Sequence, residues 1–118
     1  MKLFLFLLIF TGCQFKTSDI LVREEITFDP DIGRRLVAVY GCASCHRINN
    51  VSDNPGNIGP PLKNWKKRKY ISGVLPNTPQ NLVRWIMTPQ KILPGSGMPD
   101  YGVTEREAWE MANYLYSQ

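Results

Sequence analysis

The sequence predicts an all-α fold, on three observations. Apolar residues recur at helical spacing in separate segments, and the main ones open on a residue that can cap a helix. Between them run long stretches of Pro, Gly, Asn and Ser that read as loop. No strand alternation of any length is present. Loops this long need something to wrap around. A chain of 118 residues suits a single domain, placed here at residues 29–118.

The first helix opens at Asp29-Pro30, a cap followed by a proline suited to the first helical position. Ile32, Leu36, Val37, Val39 and Tyr40 give it an apolar face up to Gly41. From Ile48 to Leu62 the residues are those of a loop. A short helix is predicted from Trp65 to Ser72, ended by Gly73. Thr78-Pro79 repeats the cap-then-proline signal, and Leu82, Trp85 and Ile86 follow at i, i+3, i+4 spacing. Thr88-Pro89 ends that helix, and Lys91 to Tyr101 is loop again. Thr104 and Glu107 form a capping box for the last helix, whose inner face is Ala108, Met111, Ala112 and Leu115. The fold is therefore three main helices, a short one and long loops.

Residues 1–12 read as a signal peptide. Lys2 precedes an unbroken apolar run, Leu3 to Phe10, too short to span a bilayer. Phe10-Thr11-Gly12-Cys13 resembles the processing box of bacterial lipoproteins, although Phe10 is less usual there than leucine. That resemblance implies a lipidated Cys13 followed by a polar tether over residues 13–28. An ordinary secretory signal and an uncleaved anchor are the rival readings. The expected location is the periplasmic or other extracytoplasmic face of a membrane. The formal net charge is +4, from 14 Lys+Arg and 10 Asp+Glu. No basic stretch carries aromatics at a stacking spacing, so a nucleic-acid partner is not expected.

Cys42-Ala43-Ser44-Cys45-His46 carries the chemistry. C-x-x-C-H is the attachment signature of c-type haem. Two thiols one helical turn apart face the same way and can add to the two vinyl groups on a porphyrin edge. His46 projects from the same face, where its imidazole can reach the iron. A thiol redox pair normally comes with a βαβ pattern, which is not visible here. A zinc site wants four ligands, and the chain has one further cysteine and no second histidine. Burial of apolar surface contributes about 25 cal/mol per Å². A bound porphyrin would thus be part of the core, and the haem-free chain is expected to be largely unfolded.

With these features the chain resembles class I cytochromes c from about Asp29 to Ser117. The resemblance is carried by GRRLVAVYGCASCH, the loop IGPPL, the loop PGSGMPDYG and the terminal ANYLYSQ. More narrowly, RKYISGVLPNTPQNLVRWIMTPQKILPGSGMPDYG is similar to the cytochrome c domains fused to subunit II of caa3-type oxidases and their free-standing relatives. The copper-binding portion of such subunits is not part of this sequence, so a stand-alone carrier or small subunit is expected. The resemblance implies one covalent haem c held by Cys42 and Cys45, with His46 as proximal ligand. It implies that the Pro60 carbonyl accepts the His46 Nδ1–H, which fixes the tautomer. It puts Met98 as the sixth ligand and Arg68 and Trp85 near the haem propionates. Tyr70 and Asn77 are weaker candidates for the same network.

The residues themselves also favour Met98. His46 is the only histidine, so two histidines from one chain cannot ligate the iron. Met1 is in the leader, while Met87 and Met111 fall on helices, where packing is the commoner role. Met98 alone lies in a Pro/Gly loop, whose glycines let backbone approach a flat ligand. Its ordinary alternative is to fill a gap. Arg68 sits within Lys63-Asn64-Trp65-Lys66-Lys67-Arg68-Lys69, and most of such a run is solvated surface. The lysines form a patch suited to an acidic docking surface on a redox partner. Trp109, Tyr114 and Tyr116 read as packing against the first helix near Gly33 and Val37, with an electron path as the alternative.

The expected function is single-electron transfer between redox partner proteins, between a respiratory donor and a terminal oxidase or other acceptor. A relay subunit of a larger oxidase or dehydrogenase is the alternative. A haem peroxidase or gas sensor would need an open sixth position. Neither enzymatic catalysis nor a small-molecule substrate is expected: no triad, carboxylate pair or phosphate loop appears.

Overall fold

In the computed structural model, residues 27–118 are described. The expectations for the signal peptide, Cys13 and most of the tether lie outside the described residues. Helix α1 spans Pro30–Val39. The Asp29 carboxylate accepts the Asp31 N–H at 2.9 Å and Pro30 occupies the first turn, so the sequence signal and the geometry coincide. Helix α2, Pro79–Met87, starts in the same way under the Thr78 hydroxyl, which accepts the Asn81 N–H at 3.2 Å. The segment Pro89–Ile92 forms a single helical turn, α3, and Glu105–Ser117 forms α4. Both halves of the capping box at α4 are made: Glu107 N–H to Thr104 Oγ1 at 3.3 Å, and Thr104 N–H to Glu107 Oε2 at 2.9 Å.

Two local expectations are corrected. Trp65 to Ser72 is not a helix. A 3-10 turn covers Trp65–Lys67, and the chain then becomes extended at Arg68, with ψ 139°. A two-residue strand, β1 (Tyr70–Ile71), pairs antiparallel with β2 (Leu75–Pro76). Ser72 and Gly73 both take positive φ, 49° and 73°, which reverses the chain tightly. The Val74 N–H closes the turn on the Ile71 carbonyl at 3.1 Å. Strands this short leave no alternation to read. The second correction is at Pro89, which ends α2 but also starts α3, where Lys91 was expected to begin a loop. Its fixed φ suits a first helical position, and the Thr88 carbonyl accepts the N–H groups of Lys91 and Ile92 at 3.2 and 3.3 Å.

Helix α4 crosses α1 in backbone contact. A Cβ on Gly33 would lie 2.1 Å from the Glu110 carbonyl oxygen and 2.7 Å from Tyr114 Cβ, so only glycine admits this approach. The Glu110 carboxylate, 3% exposed, accepts the Asp29 N–H at 3.0 Å and ties the start of α1 to α4. Phe28 stacks on Trp109, with ring centroids 5.9 Å apart. Tyr114 is buried and its hydroxyl donates to the Asn49 carbonyl. Trp109 and Tyr114 are thus accounted for by packing against α1 and its flanks, whereas the Tyr116 hydroxyl donates to Asn77 Oδ1 at 2.7 Å. Val37, Leu82, Ile86, Ala108, Met111, Ala112 and Leu115 form the core between α1, α2 and α4. Among the described residues no helix is long and apolar enough to cross a membrane.

Candidate haem site

The turn that follows α1 is short and tightly bonded. Gly41 takes φ +70°, which breaks the helix and starts a new turn at Cys42–Ser44. The Cys42 carbonyl accepts the N–H of Cys45 at 3.2 Å and of His46 at 3.0 Å. Cys42, Cys45 and His46 thereby share one turn, and all three side chains line one cavity. Burial pushes the Cys42 thiol pKa up, and the neighbouring Cys45 adds to this.

A second strand of chain is laced to that turn by backbone hydrogen bonds. The N–H groups of Gly56, Gly59 and Leu62 donate to the carbonyls of Ala43, Cys45 and Arg47, each at 2.8 Å. Two glycines make this possible. A Cβ at Gly56 would lie 1.9 Å from the Ser44 carbonyl oxygen, and one at Gly59 would lie 2.3 Å from His46 Cε1. The imidazole therefore rests on the bare backbone of Gly59. His46 Nδ1 lies 2.7 Å from the Pro60 carbonyl oxygen. A carbonyl only accepts, so Nδ1 carries the proton, and in the neutral ring Nε2 is the nitrogen with the lone pair.

The cavity is walled by side chains from every helix but α3. Val37 comes from α1 and Tyr40 from the residue that follows it, Leu82, Trp85 and Ile86 come from α2, and Met111 and Leu115 from α4. The centres of water molecules could occupy about 280 Å³ of it. Of the nine residues singled out from the sequence for the cofactor and its surroundings, eight line it: Cys42, Cys45, His46, Pro60, Arg68, Tyr70, Trp85 and Met98; Asn77 does not. Trp85 is buried, Met98 is half-buried against the core, and Tyr70 is exposed at the rim. Arg68 is half-buried, with its guanidinium 5.4 Å from the Trp65 ring centroid and Nη2 donating to the Pro61 carbonyl. Asn77 stands behind the wall. Its Nδ2 donates to the carbonyls of Trp65 and Arg68, both at 3.0 Å, and its Oδ1 accepts from the Tyr116 hydroxyl at 2.7 Å.

Three residues that matter here were not singled out from the sequence. Trp65 sits in a lysine run most of which is expected to be solvated, yet it is 5% exposed and lines the cavity. Its indole N–H is buried with no acceptor at hydrogen-bonding distance among the described residues. Burial pushes the nearby Tyr116 pKa up and the indole offsets part of that, but the two do not meet hydrogen-bonding geometry. A lone tryptophan inside a lysine run was the only available signal. Gly59 lies in the loop IGPPL and Gln90 in the segment similar to the oxidase-fused domains, but neither shows a role of its own in the sequence, because each role depends on how one loop or turn lies against another.

These walls suit a porphyrin. The lining is mainly aliphatic and aromatic, which fits a flat apolar macrocycle. A pair of thiols stands beside an imidazole with a bare Nε2, and a thioether lines the same space. The orphaned Trp65 N–H and the Arg68 guanidinium could meet the acidic edge of such a group. Among the described residues no three His, Cys, Asp or Glu side chains gather as a metal-ligand set. A bound haem would supply an iron that changes by one electron between ferric and ferrous.

Comparison with known proteins agrees with this geometry. A stretch of 86 residues is 31% identical to cytochrome c oxidase subunit 2 of Alkalihalophilus pseudofirmus, covering 72% of this chain and 24% of that protein. Another, of 101 residues, is 30% identical to cytochrome c oxidase subunit 2 of Bacillus sp. strain PS3, covering 80% of this chain and 28% of that protein. The chain thus spans about a quarter of the length of these curated relatives. The family model for cytochrome c matches residues 31–118. On that match, and on an all-α frame closed around one apolar cavity, the chain belongs to the cytochrome c family and carries covalent haem c.

Proposed function

We propose that this domain is a one-electron carrier whose haem is bonded to Cys42 and Cys45 and ligated by His46 and Met98. The observation that carries this is the convergence of all four on one cavity, with the His46 tautomer set by Pro60 so that Nε2 is the ligating atom. The chain's own residues then have distinct tasks. Pro60 and Gly59 orient the imidazole. Aliphatic side chains from α1, α2 and α4 exclude water, and Met98 keeps the sixth position closed. A closed sixth position and a buried centre favour electron transfer over chemistry on a small molecule, and thioether ligation raises the potential.

Donor and acceptor are respiratory proteins in this reading, and the acceptor docks through an acidic surface. Lys63, Lys66, Lys67 and Lys69 are exposed, and the ion pair found among the described residues, Arg34 with Asp31, involves none of them. The domain is held at the outer face of a membrane by a lipid on Cys13, after removal of residues 1–12, with residues 13–28 as tether. The leader sequence supports this, and mass spectrometry of the mature protein tests it through the mass of its N-terminal cysteine. A second reading is a relay centre inside a larger complex, favoured by the two relatives being oxidase subunits. Co-purification with an oxidase in mild detergent would select it.

The decisive experiment is simple. Express the chain with a haem-ligation system, denature it, and extract with acidified organic solvent. The colour should stay with the polypeptide, and Met98→Ala should remove the weak far-red band of ferric thioether ligation. Colour leaving with the solvent would end the proposal.

A further inference from the structure

Gln90 supplies most of the polar contacts of the loop that carries Met98. Its Oε1 accepts the Gly95 N–H at 3.0 Å. Its Nε2 donates to the carbonyls of Ser96 at 2.8 Å and Met98 at 2.7 Å, and lies 3.0 Å from Ser96 Oγ. Its backbone N–H donates to Asp100 Oδ1 at 3.2 Å. One residue is therefore bonded to the loop on both sides of Met98. The orientation of the carboxamide is determined by its partners, since an N–H needs an acceptor and a carbonyl needs a donor.

Beyond Gln90 the loop is held by Ser96, whose N–H donates to the Leu93 carbonyl at 3.1 Å and whose hydroxyl donates to the Met98 carbonyl at 3.3 Å, and by Met98 packing against the core. A Cβ at Gly95 or Gly97 would meet no heavy atom within 4 Å, and Gly95 takes φ +81°. Gln90 itself stands on firm ground. It follows Pro89, among the most deeply buried side chains, and its helical turn is closed by Leu93 N–H to the Pro89 carbonyl at 2.8 Å. A loop with few packing partners must lose conformational freedom to present one side chain in one place. The clamp removes that freedom in advance.

We propose that Gln90 is the positioning residue for Met98: its carboxamide clamps the Gly95–Asp100 loop so that the thioether is presented to the cavity as a fixed ligand. This rests on the reading of Met98 as an iron ligand. The clamp acts on how tightly sulfur holds the sixth position, so its effect is read by competition with an added ligand.

The test titrates imidazole into the ferric holoprotein at neutral pH and follows loss of the far-red band. Wild type, Gln90→Leu, Gln90→Glu, Met98→Ala and Thr104→Ala are compared. Gln90→Leu should lose the band at roughly ten-fold lower imidazole, the effect of one or two lost hydrogen bonds. Gln90→Glu is isosteric and can still accept from Gly95, but it cannot donate to the two carbonyls. It should shift at least as far, and it decides the matter if the leucine variant does not fold. Thr104→Ala removes the α4 cap, whose hydrogen bonds run to Glu107 and not to the loop. It should reduce resistance to denaturant while leaving the imidazole half-point within about two-fold, since a lost cap weakens the whole fold by about a factor of five. If Met98→Ala abolishes the band but both Gln90 variants keep the wild-type half-point, the clamp is wrong and the ligand reading survives. A Thr104→Ala shift as large as that of Gln90→Leu likewise overturns the clamp, because general softening then explains it. A wild-type protein with no such band removes the ligand reading, and the clamp with it.

Discussion

Replacing Gly59 with alanine should damage the site through a single methyl group. The new Cβ would lie 2.3 Å from His46 Cε1, 2.5 Å from Nδ1 and 2.9 Å from Nε2. Ordinary contact begins near 3.4 Å, so the ring or the loop must retreat by about 1 Å. The loop has little room to move, because the Gly59 N–H is bonded to the Cys45 carbonyl and Leu62 N–H to the Arg47 carbonyl. The ring must therefore turn away from Pro60, and the 2.7 Å contact of Nδ1 is lost. A lost hydrogen bond costs about 1 kcal/mol, and overpacking adds about 1–3 kcal/mol. The total is about 2–4 kcal/mol, a large share of the 5–15 kcal/mol typical of a domain. Guanidinium unfolding of the holoprotein measures it, with an expected midpoint shift of roughly 1 M. Gly73→Ala is the comparator: it meets no neighbour within 4 Å and suffers only from its φ of +73°, at about 1 kcal/mol. If the two variants unfold at the same midpoint, the imidazole does not rest on Gly59 and the reasoning fails.

Other outcomes follow from the same contacts. Gly33→Ala should cost about 3 kcal/mol or more, because the Cβ would press on the Glu110 carbonyl, a backbone atom that cannot step aside; thermal unfolding checks this. Tyr114→Phe should cost about 1 kcal/mol by removing the bond to the Asn49 carbonyl, with the visible spectrum unchanged. Glu107 has its pKa lowered by the Thr104 hydroxyl and backbone N–H, with the Tyr40 hydroxyl adding to this. A lowered folded pKa means that its stabilising effect is present above the unfolded value of about 4.3 and is lost as pH falls below it. The gap in denaturation midpoint between wild type and Glu107→Gln should thus be constant from neutral pH down to about 5 and shrink below that. Tyr40, whose pKa is raised chiefly by its bond to Glu107, should show the reverse, with its contribution fading above pH 10.

The three main helices were legible because their signals are local. Asp29-Pro30, Thr78-Pro79 and the Thr104/Glu107 box satisfy orphan N–H groups within one turn, and the apolar spacing that follows needs no knowledge of the fold. The attachment motif was legible for the same reason: its geometry is that of one turn of chain. Met98 could be singled out by elimination among four methionines, given a single histidine. The hairpin at residues 70–76 was not legible, since two-residue strands leave no pattern and its reversal depends on Ser72 taking a positive φ.

By itself, then, the sequence determined the three main helices, the two thiols with their histidine, and the long loops that need a cofactor to wrap around. The tertiary structure alone decided which loop meets which turn. It laid Gly56, Gly59 and Leu62 along the attachment turn, turned Trp65 inward from a lysine run, and placed Gln90 under the methionine loop. Those contacts join loops and turns 13 to 15 residues apart at the attachment turn and 5 to 10 apart at Gln90, across irregular chain with no periodic pattern to read. Hydrogen bonds and close approaches of that kind depend on how helices pack, and packing is set by the whole set of apolar faces at once rather than by any stretch that can be read alone.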